Sequence, residues 1–403
     1  HIMNILFLTD YEISPTAGGI ERVIDSLTVS FESKGICCYS AYCAKKNIGN
    51  VTEFRKELLI DNNDKENNDI YLFLKDNNID VIIVAILNKH NLPLMKNLYN
   101  ITRKLNCKII YTYHQMPGYE LCQKIDLKLA KYWYQHKISN IKEIVIMLIL
   151  NTINELGIQK ILYPIIKRKL SYGLYSDTVC VLSDSYIDLY KKFTGPTEVP
   201  FTAMPNALTY FEEVSSDIVD KKEKIVLSVG RFDIVAKRQD LLLTIWSEVE
   251  KHSVSEDWKL IIIGYGSEEE YLKEKAKKLK LKNVIFAGFC DPRDYYKKAS
   301  VYAMTSSYEG FPMVLLEAQQ YGAVPLAFDS FVAVNDLIDN GKSGYIVSDK
   351  NISEYVSKLL FLMKNRETCD VMAKECMKSI NKYSKEVIIE RWMTLLNKLC
   401  EKK

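Results

Sequence analysis

The feature that most constrains this chain is an alternation of short apolar runs with longer amphipathic stretches, sustained from end to end. A run such as Val81-Ile82-Ile83-Val84 is apolar on both faces of a strand. It needs cover on both sides, which a parallel sheet flanked by helices provides. In the first half the pattern predicts strands at Asn4–Thr9, Cys38–Cys43, Asp80–Ile86, Lys108–Tyr113 and Thr178–Ser183. Helices are expected at Ile20–Lys34, Asn68–Asn77 and Leu94–Leu105. The alternation stops at a polar passage, Gly195–Asp220, carrying Pro196, Pro200 and Pro205. It then restarts, with strands expected at Lys224–Val229, Trp258–Ile263, Asn283–Ala287, Ser300–Thr305, Val324–Phe328 and Gly344–Val347, and three helices from Ile352 onward. The chain has 403 residues, comfortable for two domains of about 150–200 residues each. The expected class is therefore α/β: two Rossmann-like parallel-sheet domains facing a cleft, over 3–200 and 201–384. A terminal helix over 385–403 should pack back toward the first domain.

Charge and cysteine usage narrow the function. Lys and Arg number 54 against 51 acidic residues, a net +3 that gives no reason to expect nucleic acid as a partner. The apolar runs Val81–Leu87 and Ile144–Leu150 stop at seven residues, far short of the ~18–20 a membrane helix needs. No signal peptide is expected, because the strand Asn4–Thr9 meets polar Asp10 and Glu12 at once. Ten cysteines are scattered without a C-x-x-C pair, and five histidines lie away from any cysteine cluster. That pattern predicts reduced thiols in a cytoplasmic protein, with no zinc site. Positive charge is concentrated in 124–169, where eight Lys and one Arg face Asp126, Glu143 and Glu155, a net +6. Tyr132, Trp133, Tyr134, Tyr163 and the run Ile144–Leu150 accompany it. The mixture suits an interfacial helix on an anionic membrane surface, which would make the protein peripheral on the inner face. It equally suits a helical hairpin with a solvated basic face.

Ligands of open parallel sheets bind beyond the carboxyl ends of the strands, so the loops there hold the candidate residues. The first loop is Pro15-Thr16-Ala17-Gly18-Gly19-Ile20-Glu21-Arg22, entering a helix. Gly18 and Gly19 would allow close backbone approach to an anion at the helix start, or simply form a tight turn. The dinucleotide fingerprint G-x-G-x-x-G is missing, and Gly264-Tyr265-Gly266 is a weak substitute. The second loop carries Arg231 and Lys237, a guanidinium fork and a point charge suited to a phosphate group. The third is Ser307-Tyr308-Glu309-Gly310-Phe311-Pro312-Met313-Val314-Leu315-Leu316-Glu317-Ala318. Pro312 fits the first turn of a helix that runs to Tyr321, and Gly322 fits its C-terminal cap. Glu309 then lies at the helix's positive end, and Glu317 lies inside a largely apolar helix. A buried carboxylate there needs donors, and a ribose diol or a neighbouring Arg or backbone group would supply them.

Together these stretches resemble glycosyltransferase family 4, the retaining enzymes of GT-B fold. The resemblance rests on Gly18-Gly19-Ile20-Glu21-Arg22, on Gly230-Arg231 with Lys237, and on the E-x7-E pair Glu309 and Glu317. Weaker agreement runs through Phe286-Ala287-Gly288, Ala323-Val324-Pro325 and Asn340-Gly341-Lys342-Ser343-Gly344. It implies that Arg231 and Lys237 bind a donor diphosphate, helped by the amides of Gly19, Met313 and Val314. Gly18, Gly310 and Phe311 belong to the same donor-binding loops. Glu317 would hold the ribose, while Glu309 and His114 would contact the donor sugar. Two positions depart from the family pattern: Ala207 follows Pro205-Asn206 where a glycine is usual, and Arg238 follows Lys237 where a glycine is frequent.

The implied activity is transfer of a hexose-type sugar from a nucleoside-diphosphate sugar to a saccharide or lipid-linked acceptor, with retention. No aspartate pair has D-x-D spacing, so Arg231 and Lys237 would take the place of a metal, and no cofactor is expected. A GT-B-shaped sugar-nucleotide epimerase and a non-catalytic sugar-nucleotide-binding module are the competing classes.

Overall fold

Among the described residues the apolar runs expected to be strands form strands, and amphipathic stretches between them form the covering helices. The computed structural model describes residues 2–15, 18–45, 50–61, 66–88, 90–123, 145, 148, 149, 152 and 159–401. The chain divides into two compact units. One comprises His1–Gly118, Leu162–Ala207 and Lys385–Lys403, the other Tyr119–Ile161 and Leu208–Ser384.

The first unit is built on β1 (Asn4–Tyr11), β2 (Cys37–Ala44), β3 (Glu57–Leu59), β4 (Val81–Ile86), β5 (Lys108–Tyr113), β6 (Thr178–Val181) and β7 (Phe201–Ala203). They make one all-parallel sheet in the order β3-β2-β1-β4-β5-β6-β7. Ile5 pairs with Cys38 on one side and Val81 on the other, and Ile5–Leu8 are fully buried. That two-sided burial is what the continuous apolar runs demanded. Its helices are α1 (Gly19–Ser33), α2 (Asn68–Asp76), α3 (Leu94–Leu105), α4 (Tyr163–Ser171) and α5 (Ser185–Thr194). The strands β3 and β7 carry no apolar run. Each is a three-residue edge strand with no fully buried residue, and β7 lies inside the passage expected to be only a linker.

The second unit repeats the plan with β8 (Glu223–Val229), β9 (Lys259–Ile263), β10 (Val284–Gly288), β11 (Ala299–Met304), β12 (Val324–Asp329) and β13 (Tyr345–Ser348). All are parallel, in the order β10-β9-β8-β11-β12-β13. The helices are α6 (Gln239–Val249), α7 (Glu269–Lys278), α8 (Arg293–Lys298), α9 (Met313–Gln320), α10 (Val334–Leu337), α11 (Ile352–Lys364) and α12 (Arg366–Ser379). Trp246, Trp258, Phe328 and Tyr355 fill the core. The Tyr355 hydroxyl donates to the Leu326 carbonyl at 2.7 Å, so this buried polar tip is satisfied.

The last helix, α13 (Lys385–Cys400), belongs to the first unit, where Trp392 meets the ring of Phe31 edge-on at 6.1 Å. In each sheet the winding reverses beside the first strand, between β1 and β4 and between β8 and β11. A doubly wound sheet binds its ligands at the carboxyl side of such a reversal. Among the described residues no helix is long and apolar enough to cross a membrane. Thr16 and Ala17 of the glycine loop and most of the basic segment 124–169 lie outside the described residues.

Candidate functional site

In the second unit the reversal between β8 and β11 brings together two of the three loops marked by the sequence. The loop after β8 is shaped by glycines on the neighbouring strand. A Cβ on Gly264 would lie 1.9 Å from the Gly230 carbonyl oxygen, and one on Gly266 would lie 2.3 Å from that of Phe232. Gly264-Tyr265-Gly266 is thus a packing device that lets the β8 and β9 loops touch, which accounts for it without any dinucleotide. The chain then turns on Asp233, whose Oδ1 accepts from the Ala236 amide at 3.0 Å and whose carbonyl accepts from the Lys237 amide at 2.6 Å. Lys237 ends this turn just ahead of α6.

The loop after β11 fastens that turn with hydroxyls. Thr305 Oγ1 reaches the carbonyls of both Lys237 and Arg238 at 3.0 Å, and Ser307 Oγ donates to the Val235 carbonyl at 2.6 Å. Between them, Ser306 Oγ donates to Glu309 Oε1 at 2.7 Å. Lys237 Nζ donates to the same oxygen at 2.5 Å. A lysine and a glutamate 72 residues apart are thereby fixed in one recess, also lined by Ser228, Gln239 and Val314.

Pro312 caps α9, so the amides of Met313 and Val314 are the first of that helix, where the intrahelical ladder has not begun. Gly322 ends it with φ +74° and donates to the Gln319 carbonyl at 3.0 Å, the left-handed cap the sequence suggested. Gly310 and Phe311 are buried, and Phe311 packs edge-on against Tyr383 at 5.5 Å. Glu317 is only 4% exposed, and the buried Tyr296 hydroxyl donates to its Oε2 at 2.9 Å. A tyrosine, which the sequence did not indicate, thus supplies a donor alongside the ribose diol expected there or the Arg or backbone group weighed against it. Arg231 does not join the Lys237–Glu309 cluster through a direct bond. Its side chain is 68% exposed and pairs with Asp233 at 3.0 Å. Tyr265 and Phe289, 56% and 80% exposed, form an edge-to-face pair 4.9 Å apart just beyond the ends of β9 and β10.

In the first unit, Gly18 caps α1 in a fully extended conformation, and neither it nor Gly19 has positive φ. A left-handed turn conformation therefore does not account for them. A Cβ on Gly19 would meet nothing within 4 Å. His114 follows β5 and bonds through Nε2 to Thr112 Oγ1 at 2.9 Å. The Thr112 hydroxyl donates its one proton to the Val84 carbonyl at 2.9 Å. It must therefore accept from His114, which fixes the neutral tautomer as Nε2–H. Among the described residues Nδ1 has no hydrogen-bond partner and is left as a buried acceptor. Burial pushes the imidazole down to about 4, so this ring is an acceptor and not a cation at neutral pH.

The second unit therefore holds a cation, a carboxylate and a helix start at one switch point, able to meet an anion and the hydroxyls attached to it. Asp233, Ser306 and Tyr296 escaped the sequence reading, and only the hydroxyl run Thr305-Ser306-Ser307 ahead of Glu309 carried a visible signal.

Two parallel-sheet Rossmann-like units with these switch points define the GT-B fold. Residues 211–378 match the family model described as glycosyl transferases group 1. The chain is similar to the amylovoran biosynthesis glycosyltransferase AmsD of Erwinia amylovora, 33% identical over 48% of this chain and 52% of the relative. It is also similar to an uncharacterized glycosyltransferase of Haemophilus influenzae, 30% identical over 55% of this chain and 61% of that protein. The chain thus spans about half to three fifths of the length of these relatives. Among solved structures, the lipopolysaccharide outer core galactosyltransferase WaaB in its apo form superposes over the whole of both chains with TM-score 0.68 at 18% identity.

Proposed function

We propose that this protein is a metal-independent, retaining glycosyltransferase of family 4 type. It moves a hexose-type sugar from a nucleoside-diphosphate sugar to a saccharide or lipid-linked saccharide. The observation that carries this reading is the Lys237–Glu309 contact, 2.5 Å long, at the reversal between β8 and β11 and ahead of α9.

The chemistry follows from where charge moves. When the bond between the anomeric carbon and the diphosphate oxygen breaks, negative charge grows on the diphosphate and positive charge spreads over the sugar ring. Lys237, Arg231 and the Met313 and Val314 amides are the cationic and donor groups for the first. Glu309 accepts from the sugar hydroxyls, and His114 Nδ1 offers a second acceptor of fixed tautomer. Glu317 holds the ribose, and the exposed pair Tyr265 and Phe289 offers ring faces for the base. The acceptor hydroxyl forms its new bond on the face the diphosphate leaves, and its proton passes to the departing phosphate oxygen.

The positive segment supports a membrane-carried acceptor. At its described end Ile161 and Ile165 are 57% and 65% exposed, next to exposed Lys167 and Arg168. Apolar side chains flanked by cations suit an anionic lipid surface. Sedimentation with anionic vesicles at low salt, and loss of that binding at high salt, tests this part. Recovery in neither condition returns the segment to a solvated basic face.

The activity is tested by release of nucleoside diphosphate from UDP-, GDP- and ADP-sugars with and without a saccharide acceptor. Acceptor-dependent release supports transfer. Interconversion of the sugar without release would identify an epimerase, and binding without either reaction would identify a binding module.

A further inference from the structure

The residues that would bind the donor already bind each other. Lys237 Nζ and Ser306 Oγ converge on one oxygen, Oε1 of Glu309, at 2.5 and 2.7 Å. The carboxylate is largely enclosed, its side chain 10% exposed, and that of Lys237 is 25% exposed. A diphosphate that recruits Lys237 must take it away from Glu309. A carboxylate in so enclosed a place, stripped of its cation and facing a polyanion, is strongly disfavoured unless other donors replace the lysine. The hydroxyls of an attached sugar are such donors, and a bare nucleoside diphosphate carries none at that position.

We infer that the Lys237–Glu309 pair, steadied by Ser306, discriminates the sugar-loaded donor from the spent nucleoside diphosphate. The inference rests on the donor-site reading above. A complete donor exchanges partners: Lys237 passes to the phosphate and Glu309 to the sugar hydroxyls. After transfer the sugar is gone, Glu309 competes again for Lys237, and the leaving diphosphate is expelled. Ser306 is a positioning residue here, because it acts on the ligand only through Glu309.

Two substitutions then act in opposite directions on one quantity, the dissociation constant of a nucleoside diphosphate divided by that of its glucose conjugate. Glu309→Gln removes the competing charge and frees Lys237. Ser306→Ala removes a donor that Glu309 keeps when Lys237 leaves, so bare diphosphate is penalised further. Calorimetric titration of wild type and both variants with UDP, GDP and ADP, and with their glucose conjugates, measures the ratio. For the pair that binds, Glu309→Gln should lower the ratio about tenfold, mainly by tightening the diphosphate. Ser306→Ala should raise it by about tenfold, the loss of one hydrogen bond to a charged group. A general loosening of the loop would weaken both ligands alike and leave the ratio unmoved, and that result overturns the inference. So does a shift of both variants in the same direction. If Glu309→Gln does not fold, an unchanged ratio in Ser306→Ala alone overturns it. If none of the six ligands binds the wild type, the donor-site reading fails first, and the inference with it.

Discussion

The hydroxyl of Tyr296, itself fully buried, donates to Glu317 Oε2 at 2.9 Å across the space between α8 and α9. The bond holds a carboxylate inside an otherwise apolar helix, where an unpaired charge would be costly. Tyr296→Phe should therefore lower stability by about 1–3 kcal/mol, since it removes a hydrogen bond to a buried carboxylate. Glu317→Gln should mainly raise the donor KM, because its proposed contact, to the ribose, is the same in ground and transition states. Thermal melts and steady-state kinetics check both. An unchanged donor KM in Glu317→Gln would remove Glu317 from the donor site.

Gly264 makes the sharpest steric prediction. Its φ is +155°, and an added Cβ would stand 1.9 Å from the Gly230 oxygen, which leaves no room for a side chain. Gly264→Ala should cost about 3 kcal/mol or more and displace the Arg231 loop. Gly19→Ala, where a Cβ meets nothing within 4 Å, should leave stability nearly unchanged. Denaturant unfolding of the two variants separates them, and equal losses would contradict the packing account.

His114 should behave as an acid-labile element and not as a neutral-pH switch. Burial lowers its pKa from 6.5 to about 4, so between these values the unfolded chain binds more protons than the folded one. Its contribution to stability is complete above about pH 6.5 and is lost as pH falls toward 4. The imidazole signal that disappears in His114→Gln should titrate with a midpoint near 4 and report an Nε2–H tautomer. A midpoint between 6 and 7 would contradict the enclosed ring described above.

The two cations of the proposed diphosphate site should differ from ordinary surface charges. Lys237→Ala and Arg231→Ala should each cost about 2–4 kcal/mol in kcat/KM, and Lys237→Ala should also lower the melting temperature, because it takes the cation from the enclosed Glu309 carboxylate. Arg231 is exposed and its ion pair with Asp233 lies at the surface, so its removal should disturb the fold least. Near-normal turnover by both variants at saturating donor would sink the diphosphate assignment.

How much was legible in the sequence follows from what each feature needs. Strands buried on both faces must be apolar throughout, so β1, β4, β8 and β11 announce themselves. The edge strands β3 and β7 need only backbone pairing, and three half-exposed residues leave no trace of that. Lys237, Glu309 and Glu317 were visible because charge beside an apolar run is conspicuous. Their partners were not: Ser306 is an unremarkable serine, and Tyr296 reaches Glu317 from a different helix. The departure at Arg238 has a structural cost and a visible compensation. Arg238 adopts φ +51°, a left-handed conformation that favours glycine, and its guanidinium holds Asp349 at 2.6 Å. Ala207, the other departure, needs no such compensation, because its φ is not positive.

The most direct test of the central claim is proton NMR of the reaction in progress, with EDTA present, using the nucleotide sugar that binds best and a saccharide acceptor. Turnover should continue in EDTA, because cationic side chains replace the metal. The first-formed glycoside should show the anomeric coupling of the donor, because attack occurs on the departing face. An inverted product would contradict the retaining mechanism. Loss of all turnover in EDTA, restored by magnesium or manganese, would contradict the role given to Arg231 and Lys237.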